Sequence, residues 1–395
     1  MSWPMVPLGD IFEIARGGSP RPIDQYITDD PDGVNWISIR DASNSSKYIR
    51  KTEKKILPSG VSKSRRVKPG DFLLTNSMSF GRPYILQTSG CIHDGWLVLS
   101  SDKEVVDQDY FYHLLGSDFI YRKFALLAAG AVVKNLNTDL VKTVSVPLPP
   151  LPEQRRIAAI LDKADALRAK RRLAIAKLDQ LLQSVFLEMF GDPVTNPKGW
   201  PRASLEELAT KIGSGATPTG GDESYKASGI SLIRSLNVHD GDFRWPKLAF
   251  IDDDQALKLR NVIVEADDVL LNITGASVAR VCRAPTQVLP ARVNQHVSII
   301  RCGTRIKPAY LEHALMSPAM KIQLLGTAES GATRQAITKA EIERLEISLP
   351  PLDLQSRFAA VEKAVVSQRD RFSDAMRKSD AAFSSLQGCA FSGTL

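Results

Sequence analysis

The chain has 395 residues, with 51 basic and 44 acidic side chains and a formal net charge of +7. Hydrophobic residues make up 43% and charged residues 24%, which is typical of a globular protein and excludes a disordered chain. Its apolar runs are all shorter than the roughly 18–20 residues of a membrane span, and its N-terminus lacks the pattern of a secretory signal. We therefore expect a cytoplasmic protein without membrane contacts. The pI of about 9.1 permits nucleic-acid binding without demonstrating it.

An internal repeat runs through almost the whole chain. The sequence "PLPPLPEQRRIAAIL" at 147–161 recurs as "SLPPLDLQSRFAAVE" at 348–362, a shift of 201 residues. "GDFLLTNS" at 70–77 recurs as "DDVLLNIT" at 267–274. Further matches are Trp3-Pro4 with Trp200-Pro201, "WISIRD" from Trp36 with "LIRSLN" from Leu232, and "DYFYHLLGS" from Asp109 with "AYLEHALMS" from Ala309. Because the apolar frame repeats while its polar residues differ, the pattern indicates one scaffold used to recognise two different things.

Two segments are predicted to form long helices. The first runs from about Pro152 to Phe190 and contains no glycine, and Gly191 and Pro193 supply its stop. Its apolar residues alternate at steps of four and three, as in a coiled-coil seam: Ile157, Leu161, Ala164, Ile175, Leu178, Leu182, Val185 and Met189. The repeat copy, from Asp353 to about Leu386, is expected to pair with it in an antiparallel manner. Packing of each apolar stripe on its own globular segment is the alternative.

The remaining segments are predicted to be mixed α/β. Strand candidates are Trp36–Ile39, Asp71–Thr75, Trp96–Ser100, Thr143–Leu148, Val269–Ile273 and Val297–Arg301. A helix is predicted over Tyr110–Ala129 and another over Ala309–Leu325. The strand–helix alternation is too irregular for a doubly wound sheet, so we expect an α+β fold with a pseudo-two-fold repeat. The predicted domains are 1–148 and 193–348, both globular, with the helical segments 149–192 and 349–395.

The phrases "LPPLPEQRRIAAILDKAD" and "FGDPVTNPKGW", within this two-copy layout, resemble the specificity subunits of Type I restriction–modification systems. The second copy, "LPPLDLQSRFAAVEKAV", is interpreted as having lost the Glu-Gln pair. The resemblance implies two target recognition domains, each reading one half of a gapped site in double-stranded DNA. It also implies that the helices set the spacing and dock two methyltransferase (modification) subunits, which restriction subunits join.

The resemblance implies a chain that is not an enzyme and carries no cofactor. S-adenosylmethionine, ATP and Mg are expected only in the partner subunits. An alternative is a fused nuclease or methyltransferase, but "LPPL" has leucine where a methyltransferase needs an amide or carboxylate. Pro31-Asp32 with Glu53 and Lys55 matches a loose nuclease spacing, which two solvated loops explain better. A scaffold that binds only proteins is the third hypothesis.

Histidines and cysteines offer no metal-ligand spacing, so metal binding is not expected. The four cysteines, Cys91, Cys282, Cys302 and Cys389, are expected to be reduced thiols. His113 and His313 coincide in the repeat, three residues after a tyrosine in each copy, and helix packing is the favoured explanation.

Candidate DNA contacts are polar residues at matching loop positions of the two copies, because base edges and phosphates are bound by such side chains. The matched sets are Asn76, Ser77, Ser79 and Arg82 against Asn272, Thr274, Ser277 and Arg280; Lys134 and Asn135 against Thr333, Arg334 and Gln335; and Ser38 and Arg40 against Arg234 and Asn237. For any one of them an ordinary loop residue is an equal alternative. The run from Lys63 to Lys68 is either a phosphate-binding patch or a solvated face.

Overall fold

A computed structural model describes residues 3–76, 81–101, 104–129, 136–329 and 335–395, except for the side chains of residues 128, 129 and 222. The chain divides into two compact units, Met1–Leu173 with Ser373–Leu395, and Ala174–Phe372. Each unit contains one globular part and one half of each long helix. Within the described part of the chain, no helix is both long and apolar enough to span a membrane.

The first unit is built on two five-stranded mixed sheets. Its strands are β1 Met5–Pro7, β2 Glu13–Arg16, β3 Ile27–Thr28, β4 Val34–Ile37, β5 Tyr48–Ile49, β6 Lys54–Ile56, β7 Arg65–Val67, β8 Phe72–Thr75, β9 Pro83–Leu86, β10 Gly90–Ile92, β11 Trp96–Ser100 and β12 Ser145–Pro147. Its helices are α1 Leu8–Ile11, α2 Ile39–Ser43, α3 Gln108–Leu115, α4 Asp118–Ala129, α5 Thr138–Lys142 and the first part of α6 Leu151–Phe190. The sheet orders are β2-β11-β8-β9-β5 and β3-β6-β4-β10-β7, and β1 pairs with β12.

The second unit repeats this plan with four-stranded sheets. Its strands are β13 Arg202–Ser204, β14 Ala209–Ser214, β15 Ile230–Ile233, β16 Val238–His239, β17 Asp242–Phe243, β18 Ala249–Ile251, β19 Ile263–Val264, β20 Val269–Asn272, β21 Val281–Arg283, β22 Ala291–Val293, β23 Val297–Cys302 and β24 Glu346–Ser348. Its helices are α7 Leu205–Leu208, α8 Asp253–Lys258, α9 Pro308–Met316, α10 Pro318–Glu329, α11 Lys339–Glu343 and the first part of α12 Leu352–Ser392. The sheet orders are β14-β23-β20-β21 and β18-β15-β22-β19, while β13 pairs with β24 and β16 with β17.

The strand order confirms the α+β fold and the internal repeat. The core sheet β2-β11-β8-β9 of the first unit corresponds to β14-β23-β20-β21 of the second. The sheet β3-β6-β4-β10-β7 contains one parallel pair, β4 with β10. The sheet β18-β15-β22-β19 repeats it as the parallel pair β15 with β22. The six strand candidates from the sequence all contain or overlap strands. The apolar repeat therefore encodes the same topology twice.

The two helices predicted after the core sheets are each broken in two. In the second unit α9 ends at Met316 and α10 begins at Pro318, because proline disfavours helical geometry at the residue before it. In the first unit Gly116 ends α3, and the Ser117 hydroxyl accepts a hydrogen bond from the Ile120 N–H at 3.4 Å to begin α4. The C-terminal helix α12 also reaches Ser392, beyond the expected end near Leu386.

The start of each long helix is fixed by a buried glutamine. Gln154 accepts a hydrogen bond from the Asp107 N–H at 2.9 Å and donates to the carbonyl of Pro149 at 2.9 Å. Gln355 accepts from the Lys307 N–H at 2.8 Å and donates to the carbonyl of Pro350 at 2.8 Å. The interpretation that the second copy lost its Glu-Gln pair is therefore wrong for the glutamine, which is retained with the same contacts.

The matched tryptophans bind the far end of a long helix. The Trp3 indole N–H donates to the carbonyl of Ala390, near the end of α12, at 2.9 Å. The Trp200 indole N–H donates to the carbonyl of Phe190, the last residue of α6, at 2.9 Å. Each unit thus holds the end of one long helix and the beginning of the other.

Within each unit the two helix halves run antiparallel. In the first unit Arg168 pairs with Asp380 at 2.7 Å, and its guanidinium lies 4.3 Å from the centroid of the Phe383 ring. In the second unit the Phe190 and Phe358 rings pack edge-on at 5.5 Å. The helices also enter the cores of their own units, where Ile157, Leu161 and Phe186 are buried. Both alternatives from the sequence, helix pairing and packing on the globular part, are therefore realised.

A charge network joins each globular part to its helix, and its carboxylate is partly exposed in the first unit and buried in the second. His113 on α3 bonds Asp162 on α6 at 2.7 Å, and Lys47 reaches the same carboxylate at 2.9 Å. The coincidence of His113 and His313 in the repeat thus reflects helix packing, as favoured. In the second unit His313 on α9 bonds Glu362 on α12 at 3.2 Å.

The cation of the second network is Arg283. It bonds Glu312 and Glu362 at 2.6 Å each, and both carboxylates are almost fully buried. Burial acts to raise the pKa of Glu362, but His313 and Arg283 outweigh it and lower that pKa. For Glu312 burial prevails over Arg283, and its pKa is raised.

Replacing the cation should destabilise the second unit strongly at neutral pH. We expect Arg283→Met to lower the free energy of unfolding by about 3–5 kcal/mol, because two buried carboxylates lose their partner. The deficit should shrink as the pH falls toward the ordinary glutamate pKa of about 4.3, since protonated carboxyls need no cation. Urea denaturation at neutral and acidic pH measures both effects.

The matched control is Arg244→Met, which removes an exposed ion pair with Asp242 at 3.4 Å. Its effect should stay within about 1 kcal/mol. Equal losses for the two variants at neutral pH would contradict the assignment of Arg283 as the cation that these buried acids require.

Candidate nucleic-acid interface

Loops from three separate stretches meet at one end of the core sheet in each unit. In the first unit the Asn76 N–H donates to the carbonyl of Gly95 at 3.1 Å, and its carbonyl accepts from the Leu136 N–H at 2.9 Å. In the second unit the Ile273 N–H donates to His296 at 3.0 Å, and the Ile273 carbonyl accepts from the Ile337 N–H at 2.8 Å. In the second unit the Gly275 N–H also donates to the carbonyl of Gln335 at 3.1 Å, which brings described parts of the first two candidate sets together. In the first unit Asn76 is the candidate that these contacts place at this end of the sheet.

The strand register agrees with the alignment of "GDFLLTNS" with "DDVLLNIT" and separates the candidates Asn76 and Asn272 by one position. Trp96 pairs with Thr75 across β11 and β8, and Val297 pairs with Asn272 across β23 and β20. Asn272 therefore corresponds to Thr75, and Asn76 corresponds to Ile273. The two asparagines are not equivalent, although both follow the same apolar run.

Three candidate asparagines are buried and form hydrogen bonds with the backbone of the loops. Asn76, Asn237 and Asn272 are at most 2% exposed. The Asn76 amide donates to the carbonyl of Asp94 at 2.7 Å, and the Asn237 amide donates to that of Arg244 at 2.8 Å. These residues position the loops, because buried side chains engaged with backbone cannot reach a base edge in this arrangement.

The third candidate set adjoins the first in the second unit. The Asn272 amide donates to the carbonyl of Ser235 at 2.9 Å, next to Arg234 in the same turn. Arg234 donates to the carbonyl of Lys247 at 2.7 Å and lies 5.0 Å from the centroid of the Tyr225 ring.

In the first unit the third set consists of a helix cap and an exposed cation. The Ser38 hydroxyl accepts from the Asp41 N–H at 3.2 Å and caps α2, so a local contact engages it. Arg40 is exposed and pairs with Glu53 at 3.6 Å.

The remaining described candidates lie at or near the surface. Arg82 is exposed, with its guanidinium 5.2 Å from the centroid of the Tyr84 ring. Gln335 is exposed. Thr274, Ser277 and Arg280 are half-buried. Six candidates fall outside the described residues: Ser77, Ser79, Lys134, Asn135, Thr333 and Arg334.

Two half-buried candidates have neighbours that the structure identifies. The Thr274 hydroxyl bonds the His296 ring nitrogen Nδ1. Burial and the nearby charges of Arg244 and Arg280 lower the pKa of His239.

Glycine-rich loops are part of this loop end. A Cβ on Gly17 would lie 2.0 Å from the carbonyl oxygen of His93, and one on Gly215 would lie 1.8 Å from that of Val293. No side chain fits at either position. The loop "RGGSPR" from Arg16 therefore packs tightly against the segment before β11, and the loop "GSGATPT" from Gly213 packs tightly against the segment before β23.

In each unit one side-chain hydrogen bond joins the glycine-rich loop to the loop before β11 or β23, and we call this contact the loop clasp. In the first unit the Ser19 hydroxyl donates to the Asp94 carboxylate at 3.0 Å. In the second unit the Thr217 hydroxyl donates to the Gln295 side-chain carbonyl. The sequence signal that could have found it is the match of Ser19-Pro20 with Thr217-Pro218 behind the required glycine.

Basic side chains surround the clasp of the first unit. Arg16 donates to the carbonyl of Asp94 at 2.9 Å, and Arg21 pairs with the Asp94 carboxylate at 3.3 Å. Lys63 and Arg65 are exposed, and the Arg65 side chain donates to the carbonyl of Arg16 at 3.4 Å. The run from Lys63 to Lys68 therefore lies beside the glycine-rich loop, which favours the phosphate-binding interpretation of that run.

The pKa values of the neighbouring residues His93 and Asp94 in the first unit are both lowered. Burial acts to raise the pKa of Asp94, but the Ser19 hydroxyl and the Arg21 guanidinium lower it below its usual value. Burial lowers the pKa of His93 in spite of the neighbouring Asp94 charge. At neutral pH this loop therefore presents an ionised carboxylate beside an uncharged imidazole.

One group of described side chains has metal-ligand geometry, and an arginine occupies it. Donor atoms of Glu312, His313 and Glu362 lie within 4.8 Å of one another. Arg283 bonds both carboxylates at 2.6 Å, so the guanidinium already supplies the positive charge. The loose nuclease pattern has no such geometry, since Glu53 pairs with Arg40 and Asp32 is an exposed turn residue.

Comparison with known proteins gives one consistent family. Residues 2–177 match the family model described as Type I restriction modification DNA specificity domain. The chain is 21% identical over 379 residues to the type I restriction enzyme MjaVIII specificity subunit of Methanocaldococcus jannaschii, covering 92% of this chain and 86% of the relative. It is 21% identical over 433 residues to the EcoBI specificity subunit of Escherichia coli, covering 100% and 86%.

A solved structure supports the fold. The S subunit of the type I restriction–modification system from M. genitalium has a TM-score of 0.57 and 13% sequence identity, over 98% of this chain and 96% of that one. The resemblance in the repeated phrases, the sequence relatives and the repeated topology agree. The chain is therefore similar, over nearly its whole length, to the specificity subunits of type I restriction–modification systems.

Proposed function

We propose that the chain is a non-catalytic subunit that reads a gapped, two-part DNA site, one half through each unit. The observation that carries this proposal is the loop end built twice on the same sheet topology with different polar side chains. Bipartite readers obtain their site geometry from the arrangement of two similar modules. The basic side chains around the glycine-rich loop of the first unit supply the attraction for phosphates that sequence-independent binding requires.

The partners follow from the same proposal. Two methyltransferase subunits would bind the chain, and restriction or translocase subunits would join them. S-adenosylmethionine, ATP and Mg would then be bound by those subunits. The relatives named above are specificity subunits, which favours this division of labour over a fused nuclease or methyltransferase and over a scaffold that binds only proteins.

Selection from a random DNA library tests the proposal. The chain together with its methyltransferase subunits should enrich a two-part sequence with a fixed gap. Binding should be measured with and without those subunits, followed by sequencing of the retained DNA. If the complete complex enriches no gapped sequence, the recognition function is wrong, and retention of the partner proteins alone would favour a scaffold.

The long helices are proposed to set the gap between the half-sites, since α6 and α12 each contribute to both units. Inserting two helical turns into α6 within 165–180, with a matching insertion in α12 within 366–381, should lengthen both helices by about 10 Å. The gap in the methylated site should increase while both half-site sequences stay the same. Methylome sequencing of the host reads out both quantities.

Substitutions in the same helix segments that leave the chain length unchanged are the control and should leave the gap unchanged. A change in half-site sequence without a change in gap would show that the helices do not set the spacing.

Phosphate contacts should be separable from base contacts in the first unit. Arg65→Ala should weaken binding to all DNA sequences alike and reduce the slope of log affinity against log salt by about 1. Arg122→Ala, an exposed arginine on α4, is the control and should change neither quantity. Fluorescence anisotropy of the assembled complex at several salt concentrations measures the slope. A sequence-selective loss for Arg65→Ala would make it a base contact instead.

A further inference from the structure

The loop clasp places chemically different groups at equivalent positions of the two units. Asp94 lies two residues before Trp96, the first residue of β11, and Gln295 lies two residues before Val297, the first residue of β23. A hydroxyl from the glycine-rich loop donates to each of them, from Ser19 and from Thr217. The scaffold is thus the same, and a carboxylate in one unit replaces a carboxamide in the other.

Both groups keep hydrogen-bonding capacity toward the surface. The Asp94 side chain is 43% exposed, and an ionised carboxylate has about four acceptor sites, of which Ser19 and Arg21 use part. Gln295 is exposed, and its side-chain carbonyl accepts the Thr217 hydroxyl. Its amide nitrogen lies 3.1 Å from a ring nitrogen of His296 and has two hydrogens to donate. Asp94 therefore offers only acceptors, whereas Gln295 offers an acceptor and a donor.

A carboxylate at a DNA-binding surface needs nearby positive charges to offset its repulsion from phosphates, and a hydrogen-bond donor on the DNA to bind. Arg16 and Arg21 contact the Asp94 loop, and the exposed Lys63 and Arg65 lie beside the neighbouring glycine-rich loop. These cations offset the repulsion between Asp94 and nearby phosphates. In the major groove, guanine and thymine present acceptors at their hydrogen-bonding edge, and adenine places an acceptor beside its amino group. Only cytosine presents an amino donor without an adjacent acceptor, so it fits a carboxylate best.

We propose that Asp94 and Gln295 are specificity-determining residues, Asp94 reading a cytosine in one half-site and Gln295 reading an adenine in the other. The inference rests on the proposed function. Glutamine binds the adenine edge with its carbonyl and amide together, as that edge requires. The clasp holds each side chain in place before DNA arrives, which lowers the entropy lost on binding.

Two nearly isosteric variants test the proposal in the complete complex. Asp94→Asn and Gln295→Glu each keep the acceptor oxygen for the loop hydroxyl, so the clasp is preserved. Asp94→Asn should weaken the preference for cytosine about tenfold at one position of one half-site. Gln295→Glu should shift one position of the other half-site from adenine toward cytosine. Random-library selection with the methyltransferase subunits present measures both changes, with thermal melting as the check on folding.

Matched controls are Glu13→Gln, at the opposite end of strand β2 from the clasp loop, and Gln323→Glu on α10. Both residues are exposed, and neither change should alter either half-site. If the two clasp variants melt like the parent chain and both half-sites stay unchanged, the inference is wrong while the recognition function stands. If the parent complex enriches no gapped sequence, the proposed function itself fails.

The parent chain provides a measurement that does not depend on how the variants fold. Its enriched site should contain a C·G pair in the half-site read by the first unit and an A·T pair in that read by the second. A parent site that lacks either pair overturns the assignment, whatever the variants do.

Discussion

The buried glutamine at the start of each long helix is the contact on which the rest of the architecture depends. Gln154 and Gln355 each form hydrogen bonds with backbone groups of two separate segments. One is the loop before α3 or α9, and the other is the proline pair directly before the long helix. Such groups are expensive to leave unsatisfied in the interior, typically about 1–3 kcal/mol each. Because one side chain closes both segments, the direction in which each helix leaves its globular part is fixed together with the core.

The charge networks next to these joints show how the scaffold stays constant while its polar partners change. A histidine on the core helix and a carboxylate on the long helix recur in both units, as His113 with Asp162 and His313 with Glu362. The cation differs, since Lys47 follows α2 in the first unit and Arg283 ends β21 in the second. The same logic applies at the loop clasp, where equivalent positions carry a carboxylate and a carboxamide. The repeated apolar residues set the positions of these side chains, while the chemical type of the side chain differs between the units.

The fold was predictable because its signals are periodic and were written twice. Alternating steps of four and three gave α6 and α12, and apolar runs such as Phe72–Thr75 gave the core strands. The site was less predictable, because burial within a loop depends on contacts from distant segments. Asn76 and Asn272 looked like matched surface residues, yet both are buried and they stand one position apart in register. The clasp was missed since it joins residues 75 and 78 positions apart, and no local pattern reports such a pairing.

The tryptophan contacts have a consequence for the order in which the protein is made. The Trp3 indole bonds the carbonyl of Ala390, and Phe383 and Phe391 belong to the apolar core of the first unit. A ribosome therefore completes the whole second unit before it delivers residues that the first unit needs to close its core. Residues 174–372, by contrast, are contiguous and can fold as soon as they emerge. The first unit to begin synthesis is thus completed only after the second, because residues of α12 that belong to its core follow the second unit in the chain.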